Sequence, residues 1–378
     1  MQLVEANYYK RFVLPITLLL VHIMCLQGCS AKQSNQVRAI PAKEESISGF
    51  SKESSSSAPK ITALKITAVG DVNPGSKDPT YVRKNGYPYL NIRNLFRSDD
   101  LTFGNLECCL SYRGSPAPGK QFTFRGAPES AHLLKEAGFD IMSVANNHSK
   151  DFGSSAFLDT LMYLRLAGVH SSGGGINLTE ALKPAIIDVK EKKLAFISFS
   201  GVVPYDFAAT SSRCGLAPLW DTKLVLDSVK KARDQADIVV VSLHWGQERA
   251  TYPSSDQTRL AHQIIDSGAD IILGHHPHVI QGIEIYKGKL IAYSLGNFMF
   301  SPGNFEGRKT VILTTKVDKG KINEVVIYPV FISDIRPQIM GGKEAAAWLT
   351  EISKRSSRFK TSFKLENLDK YLVLHLTR

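Results

Sequence analysis

The sequence predicts an α/β fold, and three observations carry that expectation. After Lys60, short apolar runs alternate with longer stretches whose apolar residues recur at helical spacing. Gly138, Gly168 and Gly268 stand where several of those helical stretches should stop. From Val279 to Val330 the alternation gives way to runs of strand-forming residues separated by turn chemistry, so the sheet should gain hairpins there.

Taken in order, strands are expected at Leu64–Val69, Leu101–Asn105, Ile141–Ala145, Ala185–Val189, Leu194–Ser198, Ile238–Leu243 and Ile271–Leu273. Helices are expected at Ala127–Ala137, Ser154–Ala167, Asp221–Asp234 and Asp256–Ser267, where apolar residues fall on one face. Tyr286-Lys287-Gly288-Lys289 and Asp318-Lys319-Gly320-Lys321 read as turns between antiparallel strands. A helix around Lys343–Lys354 and a strand at Tyr371–Leu376 finish the chain. Neither an internal repeat nor a second linker interrupts this pattern, so residues 61–378 read as one domain. A hydrophobic fraction of 43% suffices for its core.

The N-terminal residues are of another kind. Lys10 and Arg11 precede an apolar stretch, Val13 to Leu26, that is too short for a comfortable membrane span and reads as a secretory signal. It ends in Leu26-Gln27-Gly28-Cys29, which resembles a bacterial lipobox. That resemblance implies cleavage after residue 28, acylation of Cys29, and an exported protein held by lipid to a bacterial membrane, facing the periplasm or the cell exterior. Residues 29–60 are rich in Ser, Lys, Gln and Glu, poor in aromatics, and include Ser54 to Ser57, as expected of a flexible tether.

The formal net charge is +11, and loss of Lys10, Arg11 and Glu5 with the signal lowers it by one. Such a body on a membrane tether favours anionic partners, a polyacid or lipid head groups. Nothing in the chain resembles a nucleic-acid module. Of five cysteines, Cys25 leaves with the signal and Cys29 is spent on lipid. Cys108, Cys109 and Cys214 remain, with a bridge from one of the adjacent pair to Cys214 an open alternative, and their spacing suits no zinc-thiolate site.

Candidate chemistry clusters at the carboxyl ends of the expected strands. Asp71 follows the first, Glu107 the second, and Asn146-Asn147-His148 the third; His244 follows Ile238–Leu243, and His275, His276 and His278 follow Ile271–Gly274. In open α/β sheets the crevice beyond those ends is where ligands bind, so residues far apart in sequence are expected to converge. Imidazole, carboxylate and amide donors without thiolate suit Mn, Fe or Zn, and their number suits two divalent ions. His148 is then placed as a general acid, with Asp151 three residues on to orient its ring. Three imidazoles in Gly274-His275-His276-Pro277-His278 are costly to bury unless something binds them.

With those residues in view, the chain resembles the CapA family, associated with poly-γ-glutamate capsule biosynthesis, whose fold is similar to the calcineurin-like metallophosphoesterases. The resemblance lies in Ala68-Val69-Gly70-Asp71-Val72, Gly104-Asn105-Leu106-Glu107, Ala137-Gly138-Phe139-Asp140, Ala145-Asn146-Asn147-His148 and Asp151-Phe152-Gly153. It continues through Ser242-Leu243-His244-Trp245-Gly246-Gln247-Glu248, Gly268-Ala269-Asp270, Gly274 to Val279 and Tyr293-Ser294-Leu295-Gly296-Asn297-Phe298. It implies a four-layer α/β/β/α metallophosphoesterase-like sandwich.

By the same analogy Asp71, Asn147, His244 and two of the three histidines hold metal, with Glu107 at the bridging position and the choice between His275 and His276 open. His148 is the catalytic acid, and Arg125, Glu248 and Asn297, in family-like motifs, line the cleft. Three departures stand out: Asp71-Val72-Asn73 replaces an Asp-x-His, Asn105-Leu106-Glu107 replaces an aspartate motif, and the histidine run is one residue longer than Gly-His-x-His.

The resemblance implies synthesis, export or processing of an anionic cell-surface polymer such as poly-γ-glutamate, by metal-assisted cleavage or transfer at a phosphoester or γ-glutamyl amide. A non-catalytic polymer-binding subunit beside a membrane synthase and a generic envelope metallophosphodiesterase are the alternatives.

Overall fold

The computed structural model describes residues 63–76, 88–318, 320–368 and 371–377. The expected signal (1–28), Cys29 and the tether (29–60) lie outside the described residues. Within them, two sheets face each other, each backed by helices.

The first sheet runs Lys364–Leu368, Tyr371–Thr377, Lys321–Ser333, Lys309–Asp318, Leu64–Val72, Leu101–Leu106, Ile141–Ser143, His170–Ser172. Its last four strands are mutually parallel. The second runs Ile283–Tyr286, Lys289–Ala292, Ile271–His275, Ile238–His244, Lys192–Ser200, Ala185–Val189, with its middle four strands parallel.

Alternation along each strand sorts side chains into three cores. Ile66, Ala68 and Phe103 of the first sheet meet Phe196, Val240 and Leu273 of the second, and Phe103 stacks on Phe196 with ring centroids 6.0 Å apart. On the far side of the first sheet, Val69 and Met142 pack on Ala131 and Leu134 of helix Ser130–Ala137 and Phe157 and Leu164 of helix Gly153–Leu166. On the far side of the second, Val239 and Val241 pack on Val225 and Val229 of helix Thr222–Arg233 and Ala261 and Ile264 of helix Ser255–Asp266. This is the four-layer α/β/β/α arrangement. Helix Gly342–Ser357 closes one margin of the inter-sheet core with Trp348, Leu349 and Ile352.

The expected helices fall within a few residues of the observed ones, and Ser254 begins one of them with a capping box to Gln257. Both expected turns join antiparallel strands, with Tyr286 opposite Lys289 and Asp318 opposite Lys321. Helix Arg93–Ser98 and strand Lys364–Leu368 were not foreseen; each is short and weakly periodic. The bridge to Cys214 is not made, since Cys108, Cys109 and Cys214 are all free thiols.

Two glycines set the site. Ala68 pairs with Phe103 and Asp71 with Asn105, so three steps on one strand match two on its neighbour. This one-residue bulge turns Asp71 to the face that carries Ala68 and Phe103, toward the second sheet. The chain then crosses between sheets at Tyr293–Asn297. Leu295 N–H donates to Gly274 O at 3.0 Å and Asp71 N–H to Gly296 O at 2.9 Å, and Asn297–Met299 joins the first sheet in parallel beside Asp71.

A Cβ on Gly70 would lie 1.9 Å from Gly296 O, and one on Gly274 1.9 Å from Tyr293 O. Both clashes are with backbone, which cannot rotate away. Gly274→Ala is therefore expected to lower stability by about 2 kcal/mol or more in urea unfolding, whereas Gly303→Ala, which meets nothing within 4 Å, should change it by less than about 0.5 kcal/mol. Equal midpoints for the two variants would refute the crossing as a packing constraint.

Candidate metal centre

At the carboxyl ends of both sheets, the bulge presents Asp71 and the following strand presents Asn105, whose amide donates to Asp71 Oδ1 at 2.9 Å. Beyond it Glu107 is held by its backbone N–H on Val72 O at 2.9 Å. From the second sheet, His244 and His275 end neighbouring parallel strands in direct register.

The turn after His275 takes left-handed backbone at His276 (φ 93°) and His278 (φ 58°). Such conformations cost about 1–3 kcal/mol each for a non-glycine residue and recur where function requires a side-chain direction. Two hydrogen bonds pin the turn, Trp245 N–H to His275 O at 3.1 Å and Arg249 N–H to Pro277 O at 2.8 Å.

The expected convergence is the observed geometry. His275 Nδ1 lies 3.3 Å from Asp71 Oδ1 and His278 Nδ1 lies 3.2 Å from Asp71 Oδ2. His244 Nε2 and His278 Nε2 stand 3.7 and 3.8 Å from Glu107 Oε1. His244 Nε2 also meets Asn147 Oδ1 at 2.8 Å. Among the described residues, Glu107, His276 and His278 bring one donor atom each within 4.8 Å of one another. His276 therefore faces the shared space, its ring 4.9 Å from that of His244, while His275 sits against Asp71 and the ring of Phe103.

This donor set fits a divalent ion on the evidence of its own polar atoms. Asp71 Oδ2, both Glu107 oxygens, both His275 nitrogens and His276 Nδ1 are buried without a hydrogen-bond partner. So many unpartnered polar atoms in one place, the carboxylate oxygens among them, would be costly unless a cation satisfied the acceptors.

The ionisation pattern agrees. Burial opposes ionisation of Asp71, but the imidazoles of His275 and His278 beside it outweigh that and hold the carboxyl well below its ordinary range. Burial, with the neighbouring Asp71 charge, raises Glu107 well above its own. Burial also opposes charge on His278, yet Glu107 and Asp71 carry it up to about 10. His276, buried and beside His278, is pushed down to about 4, and burial takes His244 well below its ordinary value.

His148 lines the opening beside the centre, with Asp151 buried behind it. His148 Nδ1 is 2.6 Å from Asp151 Oδ2, and burial lowers the imidazole's basicity despite that partner. Asp151 also accepts from Phe124 N–H at 2.7 Å and pairs with Lys120. Phe124 covers the His148 ring at 4.1 Å between centroids. With Nδ1 occupied, Nε2 is the nitrogen left to exchange a proton. A cavity of about 390 Å³ opens here, lined by Asn73, Phe124, His148, Glu248, His278 and Asn297 among others.

Of the three residues expected to line the cleft, Glu248 does so. Asn297 does so too, and it also holds His278: its Oδ1 meets His278 Nδ1 at 2.9 Å and its Nδ2 donates to His278 O and Gly307 O. Arg125 is instead turned to structure, stacked 3.5 Å over the Phe152 ring with a bond to Gly114 O.

Sequence reasoning missed Lys120, which lies in a loop without periodicity and had no marker. It also missed the amide chain in which Asn146 donates to Asn105 Oδ1 at 3.1 Å and accepts from His148 N–H at 3.1 Å. The two strand-end Asn motifs were the available signal for that chain.

The PGA biosynthesis protein CapA of Bacillus subtilis is 32% identical over 278 residues, covering 72% of this chain and 73% of that one. A Mycobacterium tuberculosis protein named "Probable polyglutamine synthesis accessory protein" is 28% identical over 280 residues, 68% of this chain and 73% of its own. Among solved structures, the NAD nucleotidase of Haemophilus influenzae is similar at a TM-score of 0.42 and 13% identity, covering 76% of this chain and 62% of that one. Every residue placed in the centre, from Asp71 to Asn297, falls within residues 65–302, which match the family described as Bacterial capsule synthesis protein PGA_cap, and the chain belongs to that family.

Proposed function

We propose that this protein is a metal-dependent hydrolase acting in the synthesis, export or processing of an anionic cell-surface polymer, poly-γ-glutamate by the names of its relatives. The observation that carries the proposal is the meeting of Asp71, Glu107, Asn147, His244, His276 and His278 beside the His148–Asp151 pair at one cavity.

A divalent ion bound there, Mn, Fe or Zn by the mixed N/O donors, would polarise a phosphoryl or carbonyl oxygen and lower the pKa of bound water. Asp71 and Glu107 balance the charge of one such ion; a second would leave positive charge that an anionic substrate compensates. His276 and His244, held neutral, offer lone pairs. Asn297 accepts from His278 Nδ1, which leaves Nε2, on the side of Glu107, as the nitrogen that would ligate. Asp151, held by Lys120 and Phe124, fixes the ring of His148 so that Nε2 can protonate a leaving group.

In this reading Cys29 carries the lipid that keeps the domain at a bacterial membrane, near membrane synthase subunits, facing the periplasm or cell exterior. A second reading, a polymer-binding accessory subunit without turnover, is favoured by the accessory name of the mycobacterial relative.

Turnover decides between them. His148→Ala should cut hydrolysis of a phosphodiester or γ-glutamyl substrate by about 10²–10⁴-fold while metal content stays unchanged; metal-loaded wild type that binds polymer but cleaves neither bond supports the accessory reading. For metal uptake the sign is set by His278, which holds a proton up to about pH 10 and must lose it to ligate. Titration calorimetry near pH 7.5 in buffers of different ionisation enthalpy should show release of about one proton or more per ion, with affinity falling as pH is lowered.

Asn297→Ala, which frees His278 to turn, should weaken uptake by about 10–100-fold at unchanged stoichiometry. Binding without proton release would remove His278 from the ligand set. Cys29→Ala should move the protein from the membrane fraction to the soluble one; retention in the membrane would exclude lipid as its anchor.

A further inference from the structure

The position where the phosphoesterase pattern has an imidazole carries Asn73 here, and its side chain is not set up as a ligand. Its backbone is fixed by the N–H bond to Met299 O at 2.7 Å. Its Oδ1 accepts from Gly75 N–H at 3.0 Å. That bond decides the orientation of the amide, because the flipped form would set NH₂ against N–H. The acceptor atom is thus consumed, while Nδ2 is buried without a partner in a residue only 1% exposed that lines the same cavity as His148. A buried NH₂ group with no acceptor is costly, and a cation cannot satisfy it; an anionic oxygen can.

We infer that Asn73 is a substrate-binding residue, donating from Nδ2 to an anionic oxygen, phosphoryl or carboxylate, held in the cavity beside the metal centre. The inference rests on the reading of that centre as a hydrolase site. It converts an apparent loss of a metal donor into a contact with substrate. The amide and the ion would then act on the same oxyanion from two directions, with the amide contributing direction and the ion most of the charge.

The test measures binding, apart from catalysis, on the purified protein. Manganese uptake, and the binding of inorganic phosphate and of glutarate to the manganese-loaded form, are compared for wild type, Asn73→Ala and Asn73→Asp. Asn73→Asp retains an acceptor for Gly75 N–H and so keeps the local fold.

Manganese affinity should be unchanged in Asn73→Ala, while affinity for phosphate, glutarate or both falls by about 10–100-fold, the range for a hydrogen bond to a charged group. In Asn73→Asp the anion should be lost more completely, with manganese binding kept or strengthened. Loss confined to phosphate marks a phosphoester site, and loss confined to glutarate a carboxylate site; each supports the donor role. Weaker manganese binding in Asn73→Ala, or equal anion affinities in wild type and Asn73→Ala, would overturn it. A wild type that takes up no manganese would instead overturn the metal-centre reading on which it stands.

Discussion

One extra residue in the first strand governs the site. Without the bulge before Asp71, strand alternation would put its carboxylate on the same side as Val69, against the outer helices. With it, the carboxylate reaches His275 and His278 of the other sheet. The crossing segment fixes the opening in which they meet, passing its carbonyls against Gly70 and Gly274 where no side chain would fit. Those glycines immediately precede Asp71 and His275, so one passage of backbone sets the position of a donor from each sheet.

The polar chain that follows links the two halves of the chemistry. Asp71 accepts from Asn105, Asn105 accepts from Asn146, and Asn146 holds the backbone N–H of His148. Buried amides are suited to this because each can donate and accept at once. His148 is thereby tied to Asp71. Lys120 and Phe124, from the long connection before Arg125, complete the outer side by fixing Asp151 and covering the imidazole. A mouth built partly of loop and a floor built of strand ends is a common division between adaptable contacts and rigid positioning.

Much of this was legible in the sequence, and what was not has a definite cause. The strands could be read because central ones bury residues of alternating parity against two different layers, which leaves continuous apolar runs such as Ile238 to Val241. The candidate residues could be picked out because they stand at strand ends, where a polar side chain has no apolar layer to enter. Parity at Asp71 could not be read, since a bulge is a mismatch between two strands and neither sequence carries it alone.

His275 and His276 were indistinguishable for a related reason: which imidazole faces Glu107 depends on the left-handed turn at His276, a conformation that nothing in the residue type demands. Arg125 was misplaced because a basic side chain beside a site motif can also stack on an aromatic ring, here Phe152.

The departures from the phosphoesterase pattern acquire a common logic from burial. Four imidazoles stand at this centre with resolved shifts, and their ionisation follows what each faces. His148, His244 and His276 are pushed down because burial penalises the cation more than their partners favour it. His278, paired with Asp71 at 3.2 Å and facing Glu107, is carried up to about 10.

A buried pair of carboxylates demands positive charge, and in the metal-free chain a proton on His278 supplies part of it. An ion that displaced that proton would meet three neutral imidazoles and two carboxylates, so its charge would be balanced without further acids. An additional imidazole at position 73 would add donor capacity without adding negative charge. An amide there leaves the charge balance untouched and leaves an N–H donor at the cavity that calls for an acceptor.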